Sequence, residues 1–185
     1  GVNAYDSDAA SAAPVIKNRD NFDNQIDALD SDGHTFVAKY PGELGNSLRV
    51  SICSADSDEP FNSWTYSSRF DAAPGTSTFA STRNATNDEV HVAVVDIDGK
   101  FTGTPGEVLE TFPFLSLGLN AKNDDGSTNY IKNVINNSSR YIWHVGFDSD
   151  YTVAGAGTNI DSGDDFSLVT PASKNYEMNS GVNSG

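Results

Sequence analysis

Apolar and polar residues alternate in several short stretches of the chain, and this alternation predicts β-strands with one buried face. The stretch "TFVAKY" places Phe36, Ala38 and Tyr40 on one side, and "LRVSI" alternates in the same way. The stretch "EVHVAVVDID" is apolar on both sides, which predicts a central strand. Further strands are predicted at "VIKN", "FNSWTYSSRF", "EVLETFPFLSL", "RYIWHVGF" and "FSLVT".

Two other features of the pattern refine this prediction. Pro113 lies within "EVLETFPFLSL" and has no backbone N–H, so we expect an edge strand or a bulge near it. Helical spacing occurs in "RDNFDNQIDALD" and, more clearly, in "STNYIKNVINNSS". The apolar stripe of the second stretch consists of Tyr130, Ile131, Val134 and Ile135. The predicted class is α+β, mainly β: a β-sandwich-like antiparallel sheet domain with one or two short packed helices.

The chain of 185 residues is 37% hydrophobic, which is enough for one buried core. Residues 1–14 are small and polar up to Pro14 and are predicted to be a linker. Residues 15–147 carry the strand and helix patterns of the β-sandwich-like domain. Residues 148–185 are predicted to be a loop-rich extension. Because the chain begins with Gly1 and ends in "MNSGVNSG", we expect a piece of a longer protein.

The connection between "TFVAKY" and "LRVSI" predicts a tight structural corner. Pro41 fixes φ near −65°, and Gly42 permits the positive φ that a type II turn requires next. Gly45 and Asn46 both tolerate the left-handed region, so a second bend is expected there. The Asn46 amide is expected to bond to backbone, and Leu44 is expected to turn back toward the core. These residues predict a shape-fixing element without chemistry.

The charge of the chain limits its partners. Eleven basic and 26 acidic residues give a net charge of −15, which repels nucleic acid phosphates and anionic lipid head groups. No stretch approaches the ~20 apolar residues of a membrane-spanning helix. We therefore expect neither nucleic acid nor membrane as a partner. The acidic residues are scattered in loop-like stretches, which favours solvated loops; calcium binding at "DSDG" (30–33) or "DIDG" (96–99) is the alternative.

Candidate catalytic residues are not grouped in the sequence. His34, His91 and His144 are far apart and lack metal-ligand spacing, Cys53 is the single cysteine, and no GxSxG is present. The chain is therefore predicted to be no enzyme and to need no cofactor or metal. A glycosidase with a carboxylate pair remains a third-ranked alternative, which would require two carboxyls about 5 Å or about 6.5 to 9.5 Å apart.

Three segments resemble tail sheath proteins of contractile-tailed (myovirus) phages, in the same order. The first is "AKYPGELGNSLRVSI", with its Pro-Gly and Gly-Asn before a strand. The second is "GKFTGTPGEVLETFPFLSL", with Glu110, an aromatic residue and Leu115-Ser116. The third is "NYIKNVINNSSRYIW", with Val134, Ile135 and Asn136 before serines and an aromatic strand. The resemblance extends from about Lys17 to Trp143.

This resemblance implies a structural subunit of the sheath that surrounds the tail tube. In that family, hexameric rings stack helically and contract to drive the tube through the host envelope, with the tube and baseplate as further partners. The family implies a virion location in the phage tail, synthesis in the host cytoplasm, and an α/β core beyond this stretch. Alone, this piece is expected to be monomeric. Related contractile injection machines share these features.

The alternative function is a carbohydrate- or receptor-binding β-sandwich module. Loops rich in Asn, Asp, Ser and aromatic residues favour it. It would require exposed aromatic side chains, such as Trp64 or Tyr151, beside a concave polar surface. Loss of glycan binding on Trp64→Ala would support this alternative.

Overall fold

The computed structural model describes residues 1–6, 13–55, 61–148, 155–167 and 173–184. These residues form one curled sheet of seven antiparallel strands in the order β5-β4-β3-β7-β1-β2-β6. The strands are β1 (Asn3–Asp6), β2 (Phe36–Pro41), β3 (Leu48–Ser54), β4 (Glu89–Asp96), β5 (Glu107–Ser116), β6 (Ile142–His144) and β7 (Ser173–Asn179). Strands β5 and β6 are thus the two edges of the sheet.

The helices are short and lie in the connections. They are α1 (Arg19–Asp23), α2 (Ile26–Ser31), α3 (Thr78–Ser81) and α4 (Ile131–Ser138). Three 3-10 helices cover Glu43–Ser47, Phe61–Ser63 and Ser67–Arg69. None of the helices in the described ranges has the length and apolar composition needed to span a membrane.

Apolar side chains cover the sheet in three clusters. The main core fills the inside of the curl and contains Phe36, Leu48, Val50, Val92, Val94, Ile131, Ile135 and Tyr176, among others. A second cluster packs α1 and α2 on the other side of β2 and β6, where Phe22 stacks on Trp143 with ring centroids 4.5 Å apart. A third cluster places Trp64 and Tyr66 over β3 and β4. Because β4 has packing on both faces, its sequence is nearly continuous in apolar residues, whereas β3 alternates apolar residues with Arg49 and Ser51.

The predicted bulge near Pro113 is confirmed, and β5 is an edge strand. Val90 pairs with Leu115 and Val92 pairs with Phe112, so β5 carries one more residue than β4 between these pairs. Phe114 takes the left-handed conformation with φ 53°. Its N–H donates to the Nδ1 atom of His91 over 3.0 Å, outside the ladder. The bulge therefore follows from the missing N–H of Pro113 and is stabilised by a side chain.

The mainly β, α+β class is confirmed, but the two facing sheets of a sandwich are not. Strand β7 bonds to both β3 and β1, and this joins the two halves into one curled sheet. Strands β1 and β7 lie in segments predicted to be a linker and a loop-rich extension. Both assignments are wrong for these strands: β1 buries the paired polar residues Asn3 and Asp6, and β7 buries Tyr176 and Met178.

Two other predicted strands differ from the structure. "FNSWTYSSRF" forms 3-10 turns, since its aromatic side chains all face β3 and β4 and do not alternate between two faces. "VIKN" is not a strand; the Ile16 N–H bonds to the Asn3 side chain instead. In "FSLVT", residues 166–167 are outside any strand, and residues 168–170 lie outside the described residues.

Candidate functional site

The gap between the two edge strands is closed by α4 and the residues beside it. We call this closure the seam; it consists of β5 on one side and residues 128–144 on the other. Ser116 and Tyr130 form an isolated parallel bridge, with the Ser116 N–H 2.8 Å from the Asn129 carbonyl. The Asn129 side chain donates to the Phe114 carbonyl over 2.9 Å. The seam therefore links β5 to the start of α4 through backbone and side chains.

Glu110 connects β5 to the start of β6. Its carboxylate accepts from the Ser139 hydroxyl at 2.7 Å and from the Arg140 N–H at 2.8 Å. The same Ser139 oxygen accepts from the N–H groups of Tyr141 and Ile142, each at 3.1 Å. One carboxylate thus fixes the turn between α4 and β6 against the edge of β5.

Lys39 supports this turn from β2. Its ammonium donates to the Ser139 carbonyl at 2.5 Å and lies 3.8 Å from the centre of the Trp143 ring. Burial lowers the pKa of Lys39, and the negative charge of Glu110 opposes this. A cation is therefore held between a carbonyl and an aromatic face.

Asn136 satisfies the exposed backbone of the edge strand β6. Its amide nitrogen donates to the His144 carbonyl at 2.9 Å, and its amide oxygen accepts from the His144 N–H at 2.7 Å. Asn136 is buried. The side chain therefore takes the place of a neighbouring strand at this residue and leaves no free ladder position there.

The other family-motif residues lie at the same seam. Leu115 and Ile135 are buried in the main core, and Val134 packs against it. The Ser116 hydroxyl donates to the Asp88 carboxylate at 2.5 Å, and Asp88 also accepts from the N–H and hydroxyl of Ser77 at 2.8 Å. Two of the three motif segments are therefore the two sides of one closure, a relation that the sequence alone does not indicate.

The corner after β2 is built differently from the prediction. Gly42 has a positive φ of 87°, as expected, but its ψ of −169° excludes a type II turn, which needs ψ near 0°. The chain continues directly into the 3-10 helix Glu43–Ser47, so a left-handed second bend at Gly45 and Asn46 is wrong. Leu44 is 36% exposed and does not turn back to the core. Pro41 is the last residue of β2.

Gly45 and Asn46 have other roles at this corner. A Cβ on Gly45 would lie 2.9 Å from the Cβ atoms of both Ala38 and Ala4, so the position requires a residue without a side chain. The Asn46 amide pairs with the backbone of Gly181, at 2.7 Å from its N–H and 3.1 Å from its carbonyl. The expected bond from Asn46 to backbone is present, and its partner is near the other end of the chain.

The two ends of the described chain meet beside this corner. Val2 and Val182 form an antiparallel bridge with hydrogen bonds of 2.8 and 3.2 Å. The amino group of Gly1 donates to the Ser184 hydroxyl at 2.8 Å. Both ends of the described chain therefore lie at the same end of the sheet, beside the corner after β2.

The acidic stretches considered for calcium binding do not bring several carboxylates together in the described ranges. Asp96 of "DIDG" is buried and accepts from the Ser47 hydroxyl and from the N–H groups of Phe101 and Thr102. Burial opposes its ionisation, but the hydrogen bonds from Ser47, Thr102 and Phe101 outweigh this and lower the pKa of Asp96. Within the described ranges, no three His, Cys, Asp or Glu side chains are grouped as metal ligands.

The histidines on strands occupy structural positions. His91 Nδ1 accepts from the Phe114 N–H, so its Nε2 carries the proton and donates to the Ala72 carbonyl at 2.7 Å. His144 is fully buried between the rings of Phe36 and Phe147. Burial, together with the charge of Lys132, lowers the pKa of His144 to about 3. The His144 ring is therefore neutral in the folded protein.

The aromatic residues proposed for glycan stacking do not support that alternative. Trp64 is 5% exposed and donates from its indole nitrogen to the Ser51 hydroxyl at 2.9 Å. The expectation of an exposed Trp64 is wrong, because the indole covers the outer face of β3. Tyr151 lies outside the described residues.

Part of the chain is similar to a tail sheath protein. The tail sheath protein of Salmonella phage ViI is 31% identical to this chain over 96 residues. These residues are 52% of this chain and 12% of the phage protein, so the chain corresponds to a small part of that relative. No protein-family model matches the chain.

Proposed function

We propose that this chain is a domain of a phage tail sheath protein and has a structural, non-enzymatic role. The observation that carries the proposal is the 31% identity to a tail sheath protein over 96 residues. The arrangement of the motif segments supports it. Two of them close the sheet at the seam, and the third forms the corner beside β2.

The finer parts of the proposal follow from the resemblance. The complete protein forms hexameric rings that stack around the tail tube above the baseplate, and the rings contract to drive the tube through the host envelope. It is made in the host cytoplasm and resides in the tail of the virion, and an α/β core belongs to the same polypeptide.

The seam suits a part that carries mechanical load. Opening the curl would break the bonds of Glu110 and Asn129 together, since both side chains join β5 to residues 128–144. The Asn136 bonds hold α4 to β6 on one side of the gap. Such a closure keeps the domain in one shape while its neighbours move. A rigid body of this kind transmits displacement to an adjoining subunit without changing its own fold.

The single chain should behave as a monomer, because a net charge of −15 makes copies repel each other. Sedimentation velocity at low and physiological salt tests this expectation. A dimer or higher oligomer at low micromolar concentration would show that the isolated domain carries an assembly surface of its own.

Immunogold electron microscopy tests the sheath assignment. An antibody raised against this chain is applied to phage particles that encode it, with antibody pre-absorbed on the chain as control. Gold along the whole length of the tail is expected. Label restricted to the head, the fibres or the tail tip would overturn the proposal.

A further inference from the structure

An open cavity of about 340 Å³ lies beside the seam, between the end of α2, the start of α4 and the segments around Gly146 and Gly157. Its size is at the lower end of the range of small-molecule sites, about 300 to 1,000 Å³. Aspartate, tyrosine, lysine and phenylalanine side chains line it. The cavity is separate from the hydrogen bonds that close the seam.

The hydroxyl of Tyr130 lies in the wall of this cavity and makes no hydrogen bond within the described part of the fold. The residue is 95% buried, with 5% of its surface exposed. Burial, with the negative charge of Asp30, raises the pKa of Tyr130 to about 12. The phenol is therefore a neutral donor and acceptor that a ligand can satisfy.

Two glycines keep the space around this hydroxyl open. A Cβ on Gly157 would lie 3.3 Å from the Tyr130 hydroxyl oxygen and 3.0 Å from the ring of Phe147. A Cβ on Gly146 would lie 1.7 Å from a carboxylate oxygen of Asp30. Side chains at these two positions would occupy the space in front of the polar groups. Because both residues are glycines, this space stays open.

Asp30 and Lys132 supply one charge of each sign to the cavity wall. Neither side chain has a hydrogen bond or ion pair to another described residue. Because the two charges cancel, the site does not favour a simple anion or cation. A carboxylate, an ammonium and a phenol beside the Phe147 ring offer acceptors, donors and an apolar surface together.

We propose that this cavity binds a single neutral pyranose, as a free hexose or as one unit of a glycan. Adjacent hydroxyls of the sugar donate to Asp30, a third accepts from Lys132, and the C–H face of the ring lies against Phe147. The Tyr130 hydroxyl completes the set of polar groups in the cavity wall and exchanges water for a sugar hydroxyl on binding. The inference is independent of the sheath assignment, since it uses only the groups that line the cavity.

Nuclear magnetic resonance titration of the 185-residue chain tests the proposal. Methyl glycosides of glucose, galactose and mannose are added up to about 50 mM, a range that detects millimolar dissociation constants. Saturable shifts of the Gly146 and Gly157 amide signals are expected with at least one of the sugars. Glycerol, a flexible polyol, and glycine, a small zwitterion, serve as comparison ligands and should give no saturable shift.

Tyr130→Phe is the decisive variant because it removes one oxygen and no hydrogen bond of the fold. Its melting temperature should equal that of the unaltered chain, while sugar affinity falls about fivefold, the effect of one neutral hydrogen bond. Asp30→Asn should weaken binding about tenfold, since hydrogen bonds to a charged acceptor are stronger. Tyr40→Phe, a partly exposed tyrosine elsewhere, is the matched control and should leave affinity unchanged.

Three results would overturn the inference. These are the absence of saturable shifts with every sugar, equal shifts with glycerol or glycine, and unchanged affinity in Tyr130→Phe. Each of them leaves the immunogold test of the sheath assignment unaffected, so the two proposals fail separately.

Discussion

Replacing Asn136 by alanine should destabilise the protein more than any other polar substitution on α4. The change removes both amide contacts to His144, at 2.7 and 2.9 Å, and leaves the N–H and carbonyl of a buried strand residue unpaired. An orphaned buried polar group costs about 1–3 kcal/mol. Two such groups give an expected loss of about 2 to 6 kcal/mol, against a total stability of about 5–15 kcal/mol for a typical domain.

Urea unfolding followed by tryptophan fluorescence measures this loss, because Trp143 lies one residue before His144 on β6. Hydrogen exchange of the His144 amide should accelerate in the same variant. Asn133→Ala is the control, since Asn133 is an exposed amide on the same helix. A loss below about 0.5 kcal/mol for Asn136→Ala, or equal losses at the two positions, would refute the edge-satisfying role of Asn136.

Three further predictions concern the corner, the helix stripe and acid stability. Gly42→Val should lower the free energy of unfolding by about 1–3 kcal/mol because φ at this residue is +87°. The control variant Glu43→Ala should melt near the temperature of the unaltered chain. Equal melting temperatures for the two variants would contradict a strained conformation at Gly42. Ile135→Asp should cost several kcal/mol by burying an unpaired charge, and Lys132→Asp should cost little in the same urea assay. The unfolded chain binds a proton at His144 near pH 6.5 but the folded chain only near pH 3, so stability should fall as pH drops between these values, by up to about 1.4 kcal/mol per pH unit. His144→Gln should have a smaller slope of unfolding free energy over that range, and identical slopes would show that another group titrates.

Strands with regular alternation could be predicted from the sequence, and the rest of the sheet could not. Strands β2 to β6 have apolar patterns that identify them, and Pro113 correctly indicated the bulge of an edge strand. Strand β1 was missed because two of its four residues are Asn3 and Asp6, whose burial depends on partners distant in sequence. A polar strand has no pattern that distinguishes it from a linker.

The residues of the corner and of the cavity could likewise be predicted only where their role depends on local sequence. The sequence indicated a positive φ at Gly42, because backbone conformation is a local property. It did not indicate that Gly45 is required by packing against Ala4 and Ala38, since that contact arises only when β1 and β2 pair. Asp30 and Tyr130 are one hundred positions apart and meet through the curl of the sheet.

The meeting of both chain ends at one end of the sheet has a mechanical consequence. Strands β1 and β7 are antiparallel neighbours, so a force that pulls Gly1 and Ser184 apart acts perpendicular to the two strands and along their hydrogen bonds. The bond between Gly1 and Ser184 then breaks first, followed by those between Val2 and Val182 and by those of the next pair, one after another. The core inside the curl, the seam and the cavity carry none of this load until the two terminal strands have separated.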